Sequence, residues 1–227
     1  SIGGSIIVET TAPKFAAPGQ GSLFEGEVGA FYRSNGNGYG GNLSATYATE
    51  SFNISYTGAT AKSDNYDAGG GYRKFSVTTA ANPANAAAGV PHLRRLGSSE
   101  VGSTAYETRN HMLGIALRGG NHLVDLKLGY QDMPYQLYPN QRMDMLDNEQ
   151  MRLNLRYLGK FGWGSLEARA YHEKVDHFMD FGEDKLYIYG KLRKLTAPIT
   201  DTYYIVNGMP MYTEGKTNGA SVKADID

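Results

Sequence analysis

Apolar and polar residues alternate with a period of two along most of the chain. In 23–33, Phe24, Val28, Ala30 and Tyr32 fall on one face, with Glu25, Glu27 and Arg33 on the other. After the glycine and asparagine turn "SNGNGYGG", Leu43, Ala45 and Tyr47 oppose Asn42, Ser44 and Thr46, and then Phe52, Ile54 and Tyr56 oppose Asn53, Ser55 and Thr57. The pattern resumes after a long segment, where His111, Leu113, Ile115 and Leu117 oppose Asn110, Met112, Ala116 and Arg118. Val124, Leu126, Leu128 and Tyr130 follow against Asp125 and Lys127, then Met151, Leu153, Leu155 and Tyr157 against Arg152, Asn154 and Arg156. Leu166, Ala168 and Ala170 oppose Glu167, Arg169 and Tyr171, and a last run sets Ala220, Val222, Ala224 and Ile226 against Ser221, Lys223 and Asp225. Successive side chains of a strand point to opposite faces, so this pattern predicts about eight antiparallel strands.

The strands run to about ten residues or more, the length of a tilted crossing of a bilayer, where a soluble sandwich favours about five or six. Their polar face carries full charges at alternate positions, as the water-filled side of a large barrel does, and the opposite face is expected to be almost purely apolar and to meet lipid. The connections differ in length. "TES", "GGNH" and "KFGWG" are tight, while 64–105, 136–148 and 183–216 are long. Outer-membrane barrels have short periplasmic turns and longer extracellular loops, which sets the orientation. Tyr47, Phe52, Tyr157, Phe161 and Trp163 flank the short turns as an interfacial girdle would. The expected fold is therefore all-β, a transmembrane antiparallel β-barrel.

Composition narrows the function classes. Net charge is −1, with 22 basic and 23 acidic residues, so there is no basic field for nucleic acid. The absence of cysteine removes disulfides, thiolate zinc sites and thiol nucleophiles. No run approaches the ~18 apolar residues of a membrane-spanning helix. "GGG" at 69–71 lacks the lysine and the strand-to-helix setting of a phosphate loop. No nucleophile, acid and base emerge with a forced geometry, so an enzyme is not expected. The chain opens without a targeting segment and stops inside an alternating run; both ends read as cut from a longer protein.

The opening "SIGGSIIVETTAP" resembles the closing strand of the plug domain of TonB-dependent outer-membrane receptors. "GYQDMPYQLYPNQRMDMLDN", "AYHEKVDHFMDFG" and "GMPMYTEGKTNG" resemble the copper-receptor branch of that family. The resemblance spans essentially the whole chain. It implies the C-terminal end of a plug at 1–11, a linker at 12–22, and the first part of a barrel at 23–227, within a plugged barrel of roughly 22 strands in the complete protein. It also implies a monomer in the Gram-negative outer membrane, in contact with outer-membrane lipids and lipopolysaccharide. Uptake would be driven by the TonB–ExbB–ExbD complex through a segment outside this chain.

Within "HEKVDHFMDFGEDK", period two carries His177 and Met179 to one face. Counting from Glu167 makes it the luminal one. Residues two apart lie about 6.6 Å from each other along a strand, close enough to converge on one ion. Neutral imidazole with a thioether favours a soft ion, copper(I) above all; the competing reading is two ordinary wall residues. The resemblance implies that this pair supplies two copper ligands and that a Cys and a Met of the plug, ahead of residue 1, supply the rest. Met143, Met145, Met209 and Met211 gather at the same end of the barrel and are secondary metal candidates, against the alternative that they fill gaps in loops. His92, His111, His122 and His172 are unclustered, and Asp176, Asp180, Glu183 and Asp184 read either as a cation funnel or as a solvated loop. Two other functions stay open: a ferric-siderophore receptor using Arg94, Arg95, Tyr135 and Tyr138, and a small eight-stranded barrel with a structural or adhesive role.

Overall fold

The computed structural model describes residues 12–72, 77–80, 93–185 and 209–226. Ten strands form: β1 (Ser22–Arg33), β2 (Gly38–Thr49), β3 (Phe52–Ser63), β4 (Val77–Ala80), β5 (Leu93–Leu96), β6 (Tyr106–Gly119), β7 (His122–Gln136), β8 (Asp144–Phe161), β9 (Gly164–Asp180) and β10 (Met211–Ile226). Eight of them make one antiparallel sheet in the order β1-β2-β3-β6-β7-β8-β9-β10, and β4 and β5 pair as a separate hairpin. The only helices among the described residues are two single turns, Asn35–Asn37 and Glu183–Lys185. In the first, Gly36 stands at φ 77°, where a Cβ would press on the Asp64 carbonyl and the Ser63 hydroxyl.

Pairing places the alternating residues in continuous rows. Phe24, Tyr47, Ile54, Ile115, Leu126, Leu155, Ala170 and Ala220 are successive cross-strand partners over all eight strands. One residue away, on the opposite face, Asn53, Ala116, Asp125, Arg156, Arg169 and Ser221 make a second row. Among the described residues nothing packs on the apolar face: Val28 is 76% and Val222 72% exposed. A contiguous apolar surface of that extent is matched by lipid, and the six inner strands of the sheet are paired on both sides, as a bilayer demands.

The polar face receives residues 14–16, within the segment read as a linker. The Asn53 side chain donates to the Lys14 carbonyl at 2.7 Å, Lys14 pairs with Glu25 at 2.5 Å, and Ala16 N–H donates to the Thr49 carbonyl. Arg118 lies over the Phe15 ring at 4.3 Å and donates to the Glu50 carbonyl. Chain entering on this face, which also carries Arg156 and Arg169, each paired with Glu167, marks it as the lumen. The segment 1–11, read as the end of a plug, lies outside the described residues, as does most of "AANPANAAAG".

Two features depart from the sequence reading. The loops are shorter, because β8 begins at Asp144 and β10 at Met211, inside segments expected to be loop. Glycine and charge at those strand ends weaken the local alternation, and cross-strand pairing overrides it. The outward face is also not apolar throughout. Near the long-loop end it carries Lys62–Glu107 (2.9 Å), Arg109–Asp132 (2.8 Å) and Lys174, which reaches Asp176 at 2.6 Å and Glu214 at 3.5 Å. β8 has 18 residues and β9 has 17, where a bilayer needs about 9–11, so their ends project into water and their outward side chains turn polar. Between band and charges sits an aromatic belt: Tyr56 and Tyr130 flank His111, with the Tyr56 hydroxyl 2.7 Å from His111 Nδ1. Toward the short turns Phe161 stacks on Trp163 at 5.1 Å and on the edge of His122. The sheet thus has a girdle at each border of its apolar band.

Candidate metal-binding site

The site is built at the long-loop end of β8, β9 and β10. His177 and Met179 both lie on β9, at odd positions in step with Glu167 and Arg169, and so face the lumen. Pairing across the sheet surrounds them with donors that are distant in sequence. Met179 is the register partner of Met145 on one side and of Met211 on the other. His177 is the partner of Asn148 and Thr213, and Asn148 in turn faces Met133 of β7. Direct cross-strand neighbours have Cβ atoms about 4.5–5.5 Å apart, within reach of long thioether side chains.

A β-bulge makes this arrangement. Asn148 and Met145 are three residues apart and would point to opposite faces of a regular strand. Between Met145 and Asp147 the register shifts, absorbing Leu146, and Met145 is thereby turned to the luminal side with Asn148. Met145 is 4% exposed, Met179 and His177 are half-buried, and Met211 is exposed.

Of the four secondary methionines, Met145 and Met211 join the row of Met179. Met143 and Met209 do not. Met143 lies in the loop before β8, where its carbonyl accepts from Lys185 Nζ at 3.4 Å, and Met209 is exposed ahead of β10, its N–H donating to Asp180 Oδ1. The other described histidines stand apart, each with its own partner: His111 with Tyr56, His122 with Tyr157, His172 with Asn218; His92 lies outside the described residues. Among the described residues no three His, Cys, Asp or Glu side chains gather as a metal site, so the grouping is one of thioethers and a single imidazole, a soft donor set. Sequence reading missed Asn148 and the alignment of Met145, since neither residue is signalled by the spacing of the His-x-Met pair.

The acidic residues, left open between a cation funnel and a solvated loop, are in part bound into the loops. Asp184 accepts from Ser103 N–H and Asn65 Nδ2, each at 2.7 Å, and Asp180 accepts from the backbone of Phe181 and Met209. Asp176 pairs with Lys174 on the outward face. Two of these four carboxylates tie the loops together and one faces away from the lumen. Of the residues considered for a siderophore, Tyr135 ends β7 half-buried and Tyr138 donates its N–H to Asp144; the side chains of Arg94 and Arg95 fall outside the described residues.

Sheet, faces and girdles together define the class: the wall of an antiparallel transmembrane β-barrel. No protein-family model matches the chain, and no curated protein matches its sequence. Its structure is similar to that of the copper transporter OprC, with a TM-score of 0.61 at 16% identity over 94% of this chain and 26% of that one. At that identity the likeness establishes the fold, and the chain spans about a quarter of the transporter's length.

Proposed function

We propose that this chain is the plug end and first barrel strands of a TonB-dependent outer-membrane receptor of roughly 22 strands that imports copper. The observation that carries the reading is the convergence on one luminal patch of His177 and Met179 with Met145 and Met211, drawn from three strands. Thioether and imidazole donors without a carboxylate among them select copper(I) over magnesium, calcium or manganese. The open edges of the sheet support a large barrel over a small one: among the described residues β1 and β10 each pair on one side only, where an eight-stranded barrel would join them.

In this reading copper, as ion or small complex, is the cargo. It is captured at the patch, with residues 1–11 leading from a plug that supplies further ligands. It is released when the plug is moved by the TonB–ExbB–ExbD complex, so the chain needs no catalytic machinery. The outward charges above the girdle meet lipopolysaccharide and the apolar band meets lipid, in a monomer.

The test is elemental analysis of the complete receptor purified from copper-grown cells, as wild type and as His177→Ala/Met179→Ala. About one copper per wild-type chain, lost in the double variant, supports the proposal. Equal copper in both, or none in either, refutes it and shifts the cargo to a ferric siderophore.

A further inference from the structure

A neutral imidazole has one N–H and one lone pair, and which nitrogen carries which decides how a histidine meets a soft ion. His177 Nδ1 lies 3.0 Å from Oδ1 of Asn148, its cross-strand partner on β8. A carboxamide oxygen only accepts, so Nδ1–H is the donor here and Nε2 keeps its lone pair. We propose that Asn148 is a positioning residue: it holds His177 as the Nδ1–H tautomer and presents Nε2 to the cargo ion. The inference rests on the copper reading above and names the residue that prepares the site for it.

The geometry argues for more than an incidental hydrogen bond. Asn148 reaches His177 because the two are register partners in the long β8–β9 pairing, which fixes their backbones relative to each other. The bulge at Leu146 then places Met145 on the same side, so the regular register of β8 sets the acceptor beside His177 and the irregularity just beyond it sets the thioether beside Met179. The contact also limits rotation of the ring about its χ2, which on an open luminal wall is otherwise broad. Partners of this kind, one step removed from the ligand, typically govern metal affinity by about 10–100-fold. Asn148 never touches the ion in this scheme; it acts through His177.

The test compares wild type, Asn148→Leu and Asn148→Asp in the complete receptor, folded in detergent, with two readouts. The first is the 15N spectrum of labelled histidine without metal, which reports the tautomer of His177. The second is copper(I) affinity, measured by competition with a chromophoric copper(I) chelator. The wild type is expected to show His177 protonated on Nδ1; Asn148→Leu loses that tautomer and binds copper(I) about 10–100-fold more weakly. Asn148→Asp, which keeps an acceptor in place, retains both. A wild-type His177 protonated on Nε2, or unchanged copper(I) affinity in Asn148→Leu, overturns this inference while leaving the copper reading intact. A wild type that binds no copper(I) brings down the copper reading, and the inference with it.

Discussion

Lys185 Nζ lies 2.6 Å from Oδ1 of Asp144, a carboxylate with no exposed surface, and the lysine itself is only 6% exposed. The pair ties three segments together. Asp144 opens β8 and also accepts from Ser103 Oγ at 3.0 Å and Tyr138 N–H at 2.8 Å; Lys185 closes the turn after β9 and donates to the Tyr138 and Met143 carbonyls. Asp184, next to Lys185, continues the network to Asn65, whose Oδ1 accepts from the N–H groups of Thr104 and Ala105. Removing one partner of a buried ion pair leaves the other charge unsolvated. Lys185→Met is therefore expected to destabilise this end of the barrel by about 3–5 kcal/mol, and Asp144→Leu/Lys185→Met by much less. Limited proteolysis of 64–105 and 137–143 checks it: rapid cleavage in the single variant and near-normal resistance in the double one. Equal cleavage in both would assign the effect to lost volume.

Gly182 abuts this network. A Cβ there would fall on Asp144 Oδ2, the oxygen that accepts from Ser103. Gly182→Ala should force the carboxylate off its partners and reproduce the proteolytic sensitivity of Lys185→Met. Gly70→Ala, at a position with open space around it, should leave resistance unchanged.

The outward row makes a prediction about the bilayer. Leu126 and Leu155 are cross-strand partners near the middle of the apolar band. An arginine at the midplane of a barrel's lipid face costs about 2–4 kcal/mol, whereas luminal substitutions are tolerated. Leu126→Arg should lower stability by that amount in urea titrations of the receptor folded into vesicles. Lys127→Arg, one residue on and luminal, should change it by less than about 0.5 kcal/mol. Equal effects would mean that both faces see water.

Register separates the methionines. Met145 is brought beside Met179 by the bulge, while Met143, two residues earlier, stays in the loop. Met145→Leu, which preserves volume but removes the sulfur, is expected to weaken copper(I) binding about tenfold, and Met143→Leu to leave it unchanged; chelator competition measures both. Similar losses in the two variants would show that the bulge plays no part in the site.

The eight strands of the main sheet and the two faces of each were legible in the sequence, because a period of two is a local property that each strand carries by itself. The pairing of His177 with Met179 on the luminal side followed from the same counting. Strand ends were less legible: Asp144–Asn148 and Met211–Lys216 are held in strands by their partners, which a local pattern does not report. Three further things were decided only by the tertiary structure. These are the alignment of Met145 and Met211 with Met179, the hydrogen bond from His177 to Asn148, and the buried pair of Asp144 with Lys185. Each joins residues 29 or more positions apart, and one depends on a single-residue bulge that inverts the face of everything beyond it. Alternation fixes which side of a strand a residue takes, but only pairing between distant strands fixes the height at which it meets its neighbours.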